Sequence, residues 1–283
     1  MRDIAILVDS GTDVPKELVE RYGIFVLPLM VNYEAMSFRD GVDITTDQVI
    51  DRLDMEIPRT SLPSPASVIA ALREIYERGI RQVMAVTISS GLSGVYNLVR
   101  VVAQEFEGLD IRVLDTKNIG IGAGMIAVRA AEYAETGMTM DELERRLGEL
   151  VVSTKVFFCI PSLKFLQRGG RIGRVNAAVG TLLGIRPVIA CDEKGVYYTV
   201  KKARGEAAAI ETAVSLAAAE AIKAPRKFRL AVTYSGSSGP ARRVFEELER
   251  RVPGAARAFF GSVSSALAVH TGPGLIGVGV QTY

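Results

Sequence analysis

Short apolar runs alternate with helically spaced stretches along the first half of the chain. "DIAILVD" (residues 3–9) is a near-continuous apolar run closed by an aspartate, the pattern of a strand buried on both faces of a parallel sheet. A "SGTD" turn follows, and Pro15, a favoured first helical residue, opens a helix. "IFVLPLMV" (24–31) reads as the second strand. "TTDQVIDRL" (45–53) places threonine and aspartate at a helix start, and "SPASVIAALREIYERG" (64–79) spaces its apolar residues for a helix. Strand "QVMAVTIS" (82–89), helix "SGVYNLVRVVAQEF" (93–106), strand "DIRVLDT" (110–116) and helix "GAGMIAVRAAEYAE" (122–135) continue the alternation. This grammar predicts an α/β fold with a parallel sheet covered by helices on both faces.

After the amphipathic helix "TMDELERRLGELVVST" (139–154) the grammar changes. "KVFFCI" is a strand, "SLKFLQRGG" a short helix stopped by paired glycines, and "RVNAAVGTLLG" (174–184) another short helix. "RPVIACDEKGVYYTVKKA" reads as a hairpin turning at "DEKG". An alanine-rich helix (205–222), strand "FRLAVTYSG", a helix from Gly239, strand "ARAFFGS" and a last strand "IGVGVQT" complete the chain. A hairpin among βα units predicts a mixed sheet. The expected organisation is therefore a parallel-sheet three-layer domain over 1–150 and a mixed-sheet α/β domain over 151–283.

Composition narrows the partners. Of 283 residues 48% are hydrophobic, enough for a sizeable core, and 34 basic against 32 acidic residues leave a formal charge of +2. That balance, with no basic run, points away from nucleic acid. Cys159 and Cys191 lack metal-type spacing and read as reduced core residues. The amino terminus has too short an apolar run for a signal peptide, and no apolar stretch has membrane-spanning length, so a cytoplasmic protein is expected.

Candidate chemistry gathers at turns. "TISSGLSGVYN" places Thr87, Ser89, Ser90 and Ser93 between a strand and a helix, where backbone N–H groups favour an anion. Helix capping explains any one of these hydroxyls equally well. "RTSLPSPAS" adds Thr60, Ser61 and Ser64, and two clusters opening helices of one layer can converge on one ligand group. His270, the single histidine, precedes the sharp "GPG" turn. "QRGGRIGR" holds Arg168, Arg171 and Arg174, either a solvated basic loop or an anion-binding corner. "GPGLIG" matches a dinucleotide fingerprint but has no room for a following βαβ unit, and no phosphate-binding loop of the G-x-x-x-x-G-K kind occurs.

Six motifs, "VDSGTDVP", "DGVDIT", "TSLPSP", "TISSGLSGVYN", "LKFLQRGGRIG" and "HTGPGLIGV", stand in the order found in the DegV family, which the chain resembles along its whole length. That family is similar to the fatty-acid-binding subunit of bacterial fatty acid kinase. The resemblance implies a two-domain fold holding a long-chain fatty acid such as palmitate between its domains, with no cofactor. It implies that Thr60, with Ser61, and Ser93 hold the carboxylate, that His270 lies near the same head group, and that Arg171 and Arg204 face a partner or phosphate. The implied partner is an ATP-dependent kinase subunit that phosphorylates the carboxylate; membrane contact would be transient, for lipid exchange. Val95 and Leu62 depart from the family's usual threonine and glutamine, a change expected to bear on head-group polarity. Two other readings compete: a hydrolase using Ser93 and His270, whose "SGLSG" lacks the G-x-S-x-G elbow, and a triose-phosphate-type binding module.

Overall fold

A computed structural model describes residues 4–175, 184–223 and 227–283. Most of the short helix expected over 174–184 lies outside the described residues. The first strand, β1 (Ile4–Asp9), is buried along its whole length. A 3₁₀ turn over Ser10–Thr12 leads to α1 (Lys16–Tyr22), which stops at Gly23 in the left-handed conformation (φ 52°).

The run "IFVLPLMV" is not one strand. Phe25–Leu27 (β2) pairs with β1, whereas Met30–Asn32 (β3) leaves that sheet and pairs antiparallel with β4 (Ser37–Arg39) and β5 (Arg59–Ser61). Pro28 stands between β2 and β3 and offers no N–H to continue a ladder. Between β4 and β5 lies α2 (Thr46–Arg52), started by a capping box of Thr45 and Gln48. Then come α3 (Pro65–Glu77), β6 (Gln82–Thr87), α4 (Val95–Glu105), β7 (Asp110–Asp115), α5 (Ile121–Glu135) and α6 (Met140–Ser153). The parallel sheet has the order β2-β1-β6-β7. Helix α3 packs against α4, and α5 against α6.

The second half runs β8 (Thr154–Cys159), α7 (Lys164–Arg168), β9 (Ile185–Cys191), β10 (Tyr197–Arg204), α8 (Glu206–Lys223), β11 (Phe228–Tyr234), α9 (Ser238–Arg251), β12 (Arg257–Ser262), α10 (Ser265–Thr271) and β13 (Ile276–Thr282). These strands form the mixed sheet β10-β9-β8-β13-β11-β12, parallel only between β11 and β12.

Helix α5 lies between the two sheets, touching β1 and β6 of one and β8 and β13 of the other. A helix enclosed in this way must be apolar and slim on every side. Its first eight residues, "IGAGMIAV", are all buried, and at Gly124 a Cβ would stand 2.4 Å from the Thr12 carbonyl oxygen. The period of two sorts β8 between two cores: Val156, Phe158 and Ile160 join the one around α5, Phe157 and Cys159 the one under α8 and α9.

Candidate functional site

The acids of the first two motifs knit the architecture that positions the site. Asp9, at the end of β1, accepts N–H groups from Gly11 (3.0 Å) and from Ile88 (2.9 Å) beyond β6. Burial pushes its carboxyl up to about 7 despite those hydrogen bonds. The Ser10 hydroxyl donates to Asp40 (2.6 Å) and accepts from the Leu29 N–H (3.0 Å). Asp13 accepts the Ser264 N–H (2.9 Å), tying the first turn of the chain to the start of α10, far along the sequence. Helix α10 carries His270 in its last turn and ends at Gly272 (φ 68°).

Two glycines let α10 approach α7. A Cβ on Gly272 would lie 2.3 Å from the Phe165 ring, and one on Gly169 would lie 2.1 Å from His270 Nδ1. The first of the paired glycines in "QRGGRIG" thus makes room for the imidazole. From the other side Thr60, on β5 opposite Val31, places its hydroxyl 2.7 Å from His270 Nε2.

Around this contact is a cavity of about 50 Å³ whose wall includes Thr60, Ser93, Arg171 and His270. Its remaining wall is largely apolar, with Leu29, Ile88, Leu92, Ile119, Tyr197 and Leu267. No carboxylate is among the lining residues described. Burial, assisted by the Arg171 guanidinium, pushes His270 down to about 4, so the imidazole is neutral near pH 7. His270 Nδ1 is buried with no hydrogen-bond partner. An orphaned buried N–H is costlier than an orphaned acceptor, so the proton belongs on Nε2, pointing at Thr60. The Thr60 hydroxyl proton is then free to point elsewhere, including into the cavity.

The structure separates the hydroxyls that the sequence grouped together. Thr87 donates to the Leu114 carbonyl (3.2 Å), Ser89 to the Gly195 carbonyl (2.8 Å), and Ser90 accepts from Lys117 (3.2 Å). Only Ser93 of the four lines the cavity. Ser64 caps α3. Ser61 is not among the residues lining this cavity. It follows Thr60 on a strand, is exposed, and accepts a hydrogen bond from Asn32 (3.0 Å).

Arg171 also belongs to the cavity wall. It does not stand out from an exposed loop, because its Nε donates to the Leu92 carbonyl (3.2 Å) and its Nη1 to the Gly169 carbonyl (2.6 Å), holding it at the cavity wall. Arg204 is exposed at the end of β10 and is not part of that wall. Val95 and Leu62 also lie outside it: Val95 is fully buried at the start of α4, and Leu62 packs over Gly94. Sequence reasoning missed Tyr197 and Ile119. Tyr197 reaches the cavity because its hairpin docks on Ser89 and Gly91, where a Cβ on Gly91 would meet the Gly195 carbonyl at 2.8 Å. No local pattern signals that contact.

Two larger hollows suit an anionic head group less well. One of about 610 Å³ has Asp13, Glu17 and Asp40 in its wall and no arginine among its lining residues. One of about 770 Å³ mixes Lys117, Lys155, Arg174 and Lys194 with Asp192, Glu193 and Glu220, and of those cations Lys155 is already paired with Glu220 and Arg174 with Asp192. The nucleophile–base–orienter chain of a hydrolase is not assembled at the small cavity, since His270 bonds Thr60 and its Nδ1 meets no carboxylate among the described residues.

The family model "Uncharacterised protein, DegV family" matches residues 3–282. The chain belongs to the DegV family. A DegV domain-containing protein of Clostridium acetobutylicum is 34% identical over 278 residues, covering 98% of each chain. The solved structure of a DegV family protein from Thermus thermophilus, described as fatty acid binding, shares 32% identity and a TM-score of 0.93 over 100% of both chains. DegV of Bacillus subtilis, described as a fatty acid binding protein, is 25% identical with a TM-score of 0.90, again over 100% of both chains. The parallel sheet followed by a mixed sheet is thus the DegV fold. Among the described residues no helix is long and apolar enough to cross a membrane.

Proposed function

We propose that this DegV chain binds a long-chain fatty acid, with the carboxylate held by Thr60, Ser93 and Arg171 beside neutral His270. The observation that carries this reading is the cavity wall itself. One guanidinium and several neutral polar groups meet there on an apolar surface, with no carboxylate among the described lining residues. The relatives described as fatty acid binding support it. Neutral donors hold a carboxylate without attacking it, and the tail supplies the affinity. At about 0.8 kcal/mol per buried methylene, a sixteen-carbon chain gains on the order of 11 kcal/mol before association costs.

At about 50 Å³ the cavity accommodates little more than a head group, against roughly 300–1,000 Å³ for small-molecule sites. Uptake of the tail therefore requires the apolar walls to part between the units 1–150 and 151–283. We assign the chain a presenting role: it offers the carboxylate to an ATP-dependent kinase subunit, with exposed Arg204 available to the partner and Arg171 beside the group to be phosphorylated.

Loss of a donor to a charged group costs roughly 1.5–3 kcal/mol, so Thr60→Val and Ser93→Ala should each weaken fatty acid binding about tenfold or more. The corresponding fatty alcohol should lose less. Calorimetric titration of both ligands makes the comparison, and equal losses for acid and alcohol would refute carboxylate recognition at these residues.

A further inference from the structure

Towards the far end of α5, roughly 15 Å along the helix from its start by helical rise, three arginines converge on one carboxylate. Glu132 Oε2 accepts from Arg129 Nη1 (2.9 Å) and from Arg229, and Glu132 Oε1 lies 3.5 Å from Arg257 Nη1. No other carboxylate pairs with any of the three among the described residues. Two positive charges are therefore left in excess in a largely buried setting, with the Arg229 side chain only 4% exposed. Arg229 and Arg257 stand side by side in the β11–β12 ladder, a like-charged neighbour pair that is unfavourable without a counter-charge.

Four buried N–H positions in the cluster have no hydrogen-bond partner: Arg129 Nε, Arg229 Nε and Nη1, and Arg257 Nη1. Proteins seldom leave such donors unsatisfied, and unpaired buried charge is strongly unfavourable. The Tyr283 ring lies 4.2 Å from the Arg129 guanidinium carbon and 5.4 Å from that of Arg229, which offsets part of the charge but takes up no conventional hydrogen bond. Arg129 and Arg257 remain 21% and 27% exposed, so the cluster opens to solvent on their side.

We propose that this cluster is a second ligand site, separate from the fatty acid cavity, that takes a phosphate-type oxyanion. Guanidinium forks match the paired oxygens of phosphate, and a dianion balances the two excess charges. Glu132 gathers the three guanidiniums and competes with the anion for them. The oxyanion is inorganic phosphate or the phosphate of a phosphomonoester.

The test titrates the full chain with inorganic phosphate and, separately, with glycerol phosphate, by calorimetry and by thermal unfolding against chloride at matched ionic strength. Saturable binding and a raised Tm are expected with the natural sequence. Arg257→Gln and Arg129→Gln, both at partly exposed positions, should each weaken binding tenfold or more. Glu132→Gln removes the competing carboxylate and should tighten it. Binding of inorganic phosphate as tight as that of glycerol phosphate identifies the free ion as sufficient, and a clear preference for the ester identifies a phosphorylated metabolite. Absence of any saturable response in the natural sequence overturns the proposal, as does a response left unchanged by both arginine substitutions. Neither result bears on fatty acid binding, which is read at Thr60 and Ser93.

Discussion

At the residue scale, the site depends on a side chain that is missing as much as on those present. Gly169 lies against His270, and any larger residue would put its Cβ 2.1 Å from the imidazole Nδ1. Gly169→Ala should therefore push the ring off Thr60, cost about 1–3 kcal/mol of stability as overpacking does, and weaken fatty acid binding tenfold or more. Denaturant titration and calorimetry on the same variant check both effects, and unchanged lipid affinity would show that the Thr60–His270 contact is not part of the site. Arg171 is tied by two backbone carbonyls, so its charge is fixed beside His270. Burial, assisted by that fixed charge, holds the histidine neutral at the cavity wall while the guanidinium supplies the positive charge.

At the element scale, the β9–β10 hairpin is clamped against the turn after β6. Gly195 has φ 72°, and a Cβ there would stand 1.8 Å from Ser89 Oγ, the hydroxyl that bonds its own carbonyl. Gly195→Ala combines strain in the left-handed region with a steric clash, so a loss of more than about 2 kcal/mol is expected. Tyr197, two residues further on, lines the cavity, so lipid affinity should fall with it. Urea denaturation and a lipid titration read the two losses; stability lost with affinity retained would mean that the hairpin is scaffold only. The turn read from sequence as a nest of donors is thus chiefly a clamp between elements, with Ser93 alone lining the cavity.

At the scale of the whole molecule, buried titratable groups set opposing pH responses. The folded-state pKa of Asp9 is raised to about 7 from 3.8, so its contribution to stability is fully present below 3.8 and is lost as pH rises through 7. Burial also raises Asp13 and Asp40, in the same direction. His270 is lowered to about 4 from 6.5, so the unfolded chain binds the extra proton between those values and stability rises with pH across that window. The two slopes partly cancel between pH 4 and 6.5. His270→Asn removes the rising component, and its stability should decline more steeply over that range than that of the natural sequence. Chemical denaturation at a series of pH values measures this, and parallel profiles would show that His270 does not carry the lowered pKa.

Hydrophobic period and the order of the motifs were enough to determine the α/β class, the parallel sheet followed by a mixed one, and DegV membership. Those properties are written locally, in apolar runs, turn residues and motif spacing. The same signals marked Thr60, Ser93 and His270 as candidates, because hydroxyls at helix starts and a histidine before "GPG" are visible in a short window. Which hydroxyls face the cavity was decided only in three dimensions. Thr87, Ser89 and Ser90 find partners at Leu114, Gly195 and Lys117, all remote in sequence. The break at Pro28 that sends β3 into a sheet of its own, the inward turn of Arg171 and the arginine cluster on Glu132 belong to the same class. Period states which face of an element is buried, whereas the partner that buries it is chosen by the packing of elements hundreds of residues apart, as Asp13 and Ser264 are.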